Sequence, residues 1–487
     1  MKILSQLNIC WLIMITWPAF SQGYEISITF NSRNDTVILG HYFARADMLI
    51  PDDTLILDKK KAGVFKGDQK LEKGLYFIYS GNQRLDIIIG DHQKFKVVID
   101  TVDIIRRTKF TSSAENEVFY NFQRYNNDLG KDFQQLASQL ENADTDAAKN
   151  IREKMQQLTK NRLEYIRKEI ADHPGLYTGK FLNTLVPIDT QLPDYPRDEQ
   201  GNITDSSFLY HWYRAHFFDN FDIFSPDMLR TPFYEDKLLE YMTRVIPQHP
   251  DSICTEADKI IMKAKGNEDV FRCILVTLFN HYVKSNIMVH ENVWVHMAEK
   301  WYIPDAGWST GDYIEKLEAE VKKKKSNLIG LSAPPMEMLM YLPPEHFKAA
   351  VLDTSIKYDM YAGVDIPDFR KNLKNRYTVI FFFDLACNHC KRTVQEMSKV
   401  YENVKDKGLE VVAVQTVITK EAKGQWIDYM NDHHLLQWFN VWSPFSNRYR
   451  DFYDVSMTPL IYLLDENQTI IGKRLAPEQV QEIILAN

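Results

Sequence analysis

Cysteine is scarce in this chain, which excludes a disulfide-stapled scaffold. Five occur among 487 residues, Cys10, Cys254, Cys273, Cys387 and Cys390, too few to cross-link a chain of this length. An excess of basic residues is missing as well. The 58 Lys and Arg face 66 Asp and Glu, for a net charge of -8 and a pI near 5.9, so nucleic-acid binding has no electrostatic footprint. Long apolar runs are also lacking: the most apolar stretch, Ile9 to Phe20, is too short to cross a bilayer and contains Pro18. No repeat stands out at solenoid periods. With 45% apolar and 25% charged residues the chain reads as globular throughout, long enough for about three domains.

The first residues, MKILSQLNICWLIMITWPAFSQG, carry Lys2, then the apolar stretch, then Ala19-Phe20-Ser21 as a small-x-small pattern before Gln22. That order predicts a cleaved secretory signal over 1–21. The mature protein is then exported, to the periplasm or cell envelope, where disulfides form and persist. Cleavage removes Cys10. A lipoprotein anchor would need a cysteine at the end of the apolar stretch, and Cys10 stands near its beginning.

Residues 22–112 read as an all-β domain, a small sandwich or barrel. Short runs such as YEISITF, DTVILGHYF, GLYFIYSG and KFKVVIDT are separated by Asn, Gly and Asp turn signals. The alternation along Glu25-Ile26-Ser27-Ile28-Thr29-Phe30 suits a half-buried antiparallel sheet. After Ser112 or Ser113, either able to cap a helix, the period becomes 3.6 and residues 113–326 read as all-α. The clearest stripe is Ile151, Met155, Leu158, Ile166 and Ile170, stopped at Asp172-His173-Pro174-Gly175. Residues 327–487 alternate strand and helix, which predicts an α/β domain around a parallel or mixed sheet.

Several features suggest chemistry and reduce to structure. The run Lys322 to Lys325 invites a polyanion, but it closes a helix, where cations complement the dipole. His290 and His296 are too far apart for a metalloprotease pair, as are His211 and His216. Cys254 and Cys273 fall in helical segments and supply no second zinc knuckle. They read as buried thiols, with a disulfide between them left open. Aromatics in FLYHWYRAHFFDNFDIF read as core before a recognition surface. No organic cofactor or metal is indicated.

One stretch resists that reduction. YTVIFFF is a buried strand, and it runs into Cys387-Asn388-His389-Cys390 at the start of a helical pattern. A cysteine there has its sulfur near unpaired helix N–H groups, which favour thiolate. Cys390, one turn on, is placed to attack a mixed disulfide formed at Cys387. His389, as a donor or cation near sulfur, would lower the thiol further and make the pair more oxidising. Asp384, three residues earlier, is read as a loop residue before a proton acceptor. Far along the chain, Thr458-Pro459 precedes the strand LIYLLD, where a cis peptide resolves the conflict of a proline entering a strand. Backbone groups of Thr458 are then free to pair with an extended substrate.

A hydrophobic strand, C-x-x-C at a helix start, a later Thr-Pro before a β-hairpin and a final helix together resemble the thioredoxin fold. The stretch IGLSAPPMEM resembles the opening strand of the exported branch related to TlpA, ResA and the peroxiredoxins. The whole chain is similar to exported multidomain thioredoxin-like proteins of Gram-negative bacteria. The resemblance implies Cys387 as nucleophile, Cys390 as resolving thiol and Pro459 as the cis-proline, with Asn388, His389 and Thr458 supporting. The chain departs from thioredoxin in having Ala386 where tryptophan is frequent and Phe381 at the place of the buried acid. The implied activity is thiol–disulfide exchange with protein thiols and disulfides and a separate redox partner, the front domains selecting the substrate. The alternatives are an exported binding or scaffold protein whose dithiol is vestigial or regulatory, and a thiol peroxidase. The peroxidase pattern lacks its threonine and proline, with Asp384 and Ile380 standing in their places.

Overall fold

Ile26, Ile28 and Phe30 alternate with more exposed residues along β1 (Tyr24–Phe30), and all three are buried. The computed structural model describes residues 23–336, 338–340, 364–366, 375–417, 419–443 and 447–486, so the secretory signal read over 1–21 lies outside the described residues. The chain forms two compact units. One holds the described residues up to Val245 with Ala264–Cys273; the other holds Ile246–Lys263 and the residues from Ile274 onward.

In the first unit β1 is joined by β2 (Thr36–Phe43), β3 (Arg45–Ile56), β4 (Ala62–Gly67), β5 (Gly74–Ser80), β6 (Gln83–Ile89), β7 (Lys94–Ile99) and β8 (Lys109–Thr111). They form two four-stranded sheets, ordered β4-β1-β7-β8 and β3-β2-β5-β6. β1 runs antiparallel to β4 but parallel to β7. Alternation in sequence reports one buried face and is silent on the direction of a neighbour, so the expectation of an antiparallel sheet holds for only one of its two sides.

Ser113 caps α1 (Ala114–Leu140), accepting from the Asn116 N–H. The Asn116 amide lies along β6, accepting from the Ile88 N–H at 2.8 Å and donating to the Ile88 carbonyl at 2.9 Å. It thus satisfies backbone groups on an edge strand that would otherwise be left unpaired. The striped helix, α2 (Thr145–Asp172), buries Ile151 and Ile166. Buried Glu115 caps the short helix α3 (Tyr177–Asn183): its carboxylate accepts from the Tyr177 N–H at 2.9 Å, the Thr178 N–H at 2.7 Å and the Thr178 hydroxyl at 2.6 Å. Glu115→Ala leaves these donors without their acceptor and is expected to cost about 3 kcal/mol. Urea unfolding of the variant followed by circular dichroism checks this, and a loss below about 0.5 kcal/mol would mean water replaces the carboxylate.

In the second unit α4 (His290–Met297) and α5 (Gly311–Lys325) precede the sheet. Its strands are β9 (Met338–Met340), β10 (Val364–Ile366), β11 (Tyr377–Phe383), β12 (Leu409–Gln415), β13 (Phe439–Trp442), β14 (Leu460–Leu464) and β15 (Ile470–Lys473), in the order β10-β9-β13-β12-β11-β14-β15. β11, β12 and β13 are parallel, β14 is antiparallel to β11, and β15 is antiparallel to β14. Every residue of β11 is buried because both faces are covered. Val379, Phe381 and Phe383 join Val394 and Met397 of α6 (Asn388–Val404), Trp426 and Met430 of α7 (Lys420–Asp432), and Val480 and Ile484 of the last helix. Ile380 and Phe382 join Tyr449 of α8 (Arg448–Phe452), then Tyr453 and Tyr462. The closing helix is α9 (Pro477–Ala486).

Two elements differ from the sequence reading. The stretch read as the opening strand lies along residues 468–470, where the Gly330 N–H donates to the Ile470 carbonyl, the Ile470 N–H to the Leu331 carbonyl and the Ala333 N–H to the Gln468 carbonyl around a bridge from Ser332 to Thr469. The sheet strand β9 takes in only the last residue of that stretch, Met338. Pro334 and Pro335 supply no N–H for a ladder. The sequence reading names no residues for β13, whose four residues carry no repeat long enough to read.

Candidate active site

β11 brings the chain to one end of the sheet at Phe383, and the turn Asp384-Leu385-Ala386 leads into α6. The Cys387 N–H donates to the Asp384 carbonyl at 3.1 Å, and the Ala386 N–H donates to Asp384 Oδ1 at 2.9 Å. Asp384 therefore builds the turn. Its negative charge opposes a thiolate at Cys387.

Cys387 is the N-cap residue of α6 with extended backbone, φ -91° and ψ 116°. That conformation leaves its sulfur at the mouth of the helix, where the first N–H groups have no partner within it. The N–H of Cys390, and to a lesser degree that of His389, hold the Cys387 thiol below its ordinary range. His389 acts here through its backbone; the residue itself is exposed, as are Asn388, Lys391 and Arg392. The sequence reading gave that role to the imidazole ring.

Cys390 differs from Cys387 in every physical respect that bears on reactivity. It is fully buried, and burial pushes its thiol up. The Asp384 N–H donates to Cys390 Sγ at 3.5 Å, a contact no motif announces because it depends on how the turn folds back. Neither cysteine is in a disulfide, and neither are Cys254 and Cys273. Burial pushes the Cys254 thiol up to about 12, which makes it inert at neutral pH.

The third component arrives from far along the chain. β14 pairs antiparallel with β11, Leu460 opposite Phe382, and this register sets the residues before Leu460 beside the start of α6. The Thr458–Pro459 peptide is cis. The Cys387 thiol faces the Thr458 carbonyl oxygen at 4.0 Å, and the Thr458 side chain bears on Cys390. Cys387, Cys390, Thr458 and Pro459 therefore share one end of the sheet. Met457 next to them is 79% exposed.

The other sequence features lie elsewhere. His296 bonds Asp258 at 3.0 Å, His290 bonds Ser285 at 2.8 Å and His216 bonds Asp219 at 2.6 Å. Among the described residues no group of three or more His, Cys, Asp or Glu side chains is placed to hold a metal, and no helix is long and apolar enough to cross a membrane.

The sequence profile described as thioredoxin-like matches residues 375–470. These residues are a thioredoxin-like domain. The match takes in the dithiol, Thr458–Pro459 and the strands from β11 to β14. Solved structures similar to this chain include a thioredoxin-like protein from Bacteroides caccae, 15% identical, covering 61% of this chain and 98% of its own with a TM-score of 0.38. The thioredoxin domain of a thiol-disulfide oxidoreductase from Bacteroides vulgatus is 18% identical, over 32% of this chain and 96% of its own, TM-score 0.25. A putative thiol:disulfide interchange protein DsbE from Chlorobium tepidum is 17% identical, over 33% and 97%, TM-score 0.25. No curated protein matches the chain. Ahead of the thioredoxin-like domain stand the strand-rich sheets and the helical region, so the protein is multidomain.

Proposed function

We propose that the protein is an exported thiol–disulfide oxidoreductase acting on protein disulfides through Cys387 and Cys390. The observation that carries the reading is the asymmetry of the pair: an accessible thiol lowered by helix N–H groups, one turn from a buried thiol raised by burial. In the reducing direction the Cys387 thiolate attacks one sulfur of the substrate disulfide. A Cys387–substrate disulfide forms, and the second substrate sulfur leaves as a thiolate that takes a proton from water. Cys390 then gives up its proton and attacks Cys387 Sγ, forming the Cys387–Cys390 disulfide and releasing the first substrate sulfur as thiol. The substrate gains two electrons and the pair loses two. A dithiol partner reverses the change at the enzyme. Thr458 offers backbone groups beside Cys387 to an extended substrate chain, and the β domain (22–112) and helical domain (113–326) select or position that substrate.

The test equilibrates mature protein, expected to begin at Gln22 when purified from the periplasm, in graded dithiol–disulfide buffers. Free thiols are then alkylated and Cys387 and Cys390 read separately by peptide mass spectrometry. A working couple switches at both cysteines together, at one potential between strong reductants and strong oxidants. Cysteines that stay reduced across the whole series would overturn the redox reading in favour of a binding protein.

A further inference from the structure

The loop that carries Thr458 is held by side chains from outside residues 375–470. Ser326 Oγ and Asn327 Nδ2, at the end of α5, both donate to the Phe452 carbonyl at 2.9 Å. Lys324, one turn back and 7% exposed, reaches Asp454 Oδ2 at 2.5 Å and Glu291 Oε1 of α4 at 3.4 Å. Arg474 donates to Asp454 at 2.8 Å, and Lys473 pairs with Glu291 while donating to Asn327 Oδ1 at 3.0 Å. Asp454 adopts a left-handed φ of 46°, and the Ser456 N–H donates to its carbonyl at 2.9 Å. Glu291, Glu320 and Asp454 thus converge with Lys324, Lys473 and Arg474 beside a turn four residues before Thr458.

Such a buried network is a poor device for stability alone, because apolar side chains of the same volume serve as well or better. It does fix geometry, since its buried members are held from several sides, Asp454 by Lys324 and Arg474, and Lys324 by Asp454, Glu291 and Glu320. The side chain it holds from inside the matched region is Asp454, on the loop that faces Cys387.

We propose that Glu291 and Lys324 are positioning residues for disulfide exchange: through Asp454 they hold the 454–459 loop so that the backbone of Thr458 receives the extended chain of a protein substrate. This rests on the redox reading above. A protein disulfide uses that backbone pairing, whereas a small aromatic disulfide needs only the Cys387 sulfur. Loss of the network should therefore separate the two substrates.

The experiment uses the full mature protein with Lys324→Met, Glu291→Gln and the conservative Lys324→Arg. It compares insulin disulfides with 5,5′-dithiobis(2-nitrobenzoate), alongside amide hydrogen exchange of 453–458. The expected result for Lys324→Met and Glu291→Gln is faster exchange in the loop and about a tenfold lower kcat/KM on insulin, carried mainly by KM. The small disulfide should react within about twofold of wild type, and Lys324→Arg should restore most of the insulin rate. Unchanged loop protection, or equal losses on both substrates, would overturn the proposal. Wild-type protein inert towards both disulfides would sink the redox reading and the proposal with it, a result distinct from a failed clamp, in which active wild type and variants behave alike.

Discussion

Cys387→Ser is expected to bring disulfide exchange down to the level of buffer alone, while Cys390→Ser stops the reaction one step later and traps the substrate. A hydroxyl at position 387 would sit at the same helix mouth, but the N–H groups there cannot lower an alcohol far enough to leave a useful anion at neutral pH. The first bond to the substrate sulfur never forms. With Cys390 replaced, Cys387 still attacks and the mixed disulfide persists, because the group that would displace it is gone. Multiple-turnover reduction of insulin disulfides should fall at least about a thousandfold in both variants. Only Cys390→Ser should accumulate a covalent adduct on a non-reducing gel, releasable by dithiothreitol. Equal adduct yields from the two serine variants would mean that the helix mouth does not choose the nucleophile.

Much of this site was legible in the sequence because its parts are local. The strand Tyr377–Phe383, the turn and the helix start are contiguous, and the position of Cys387 at the first turn follows from where the apolar strand ends. Thr458-Pro459 was readable for a different reason, since a proline immediately ahead of a buried strand demands an unusual backbone. What could not be read depends on tertiary closure. The Asp384 N–H meets Cys390 only because the turn folds back, and the effect of His389 comes through its N–H, not its ring, because the helix direction sets which group faces the sulfur. Lys324 is the clearest omission. Within a run of four lysines at a helix end it looks like a solvated cation, yet it is the member whose helical phase turns it inward to Asp454. Charge runs hide such residues because the pattern is uniform while burial is not.

The buried acid that thioredoxins place ahead of their dithiol is absent here, and this predicts how the second step responds to pH. Phe381 occupies that place, fully buried and stacked on Phe383 with ring centroids 5.4 Å apart, so it can accept no proton from Cys390. Asp384 accepts from the Ala386 N–H through its carboxylate and presents its own N–H to the Cys390 sulfur, and the expected proton acceptors are water and the departing substrate sulfur. With the Cys390 thiol raised by burial, only a small fraction is thiolate at neutral pH, and that fraction grows tenfold for each unit of pH below its pKa. Collapse of the mixed disulfide should therefore slow about a hundredfold between pH 8 and pH 6. Attack by Cys387, whose thiol is lowered by the helix N–H groups, levels off at lower pH. Rapid acid quench followed by mass spectrometry of the Cys387 adduct separates the two steps. A collapse rate that stays flat from pH 6 to pH 8 would place a proton acceptor beside Cys390 after all. A slope near one would show that collapse of the mixed disulfide proceeds through the Cys390 thiolate, with no acceptor beside the sulfur to take its proton.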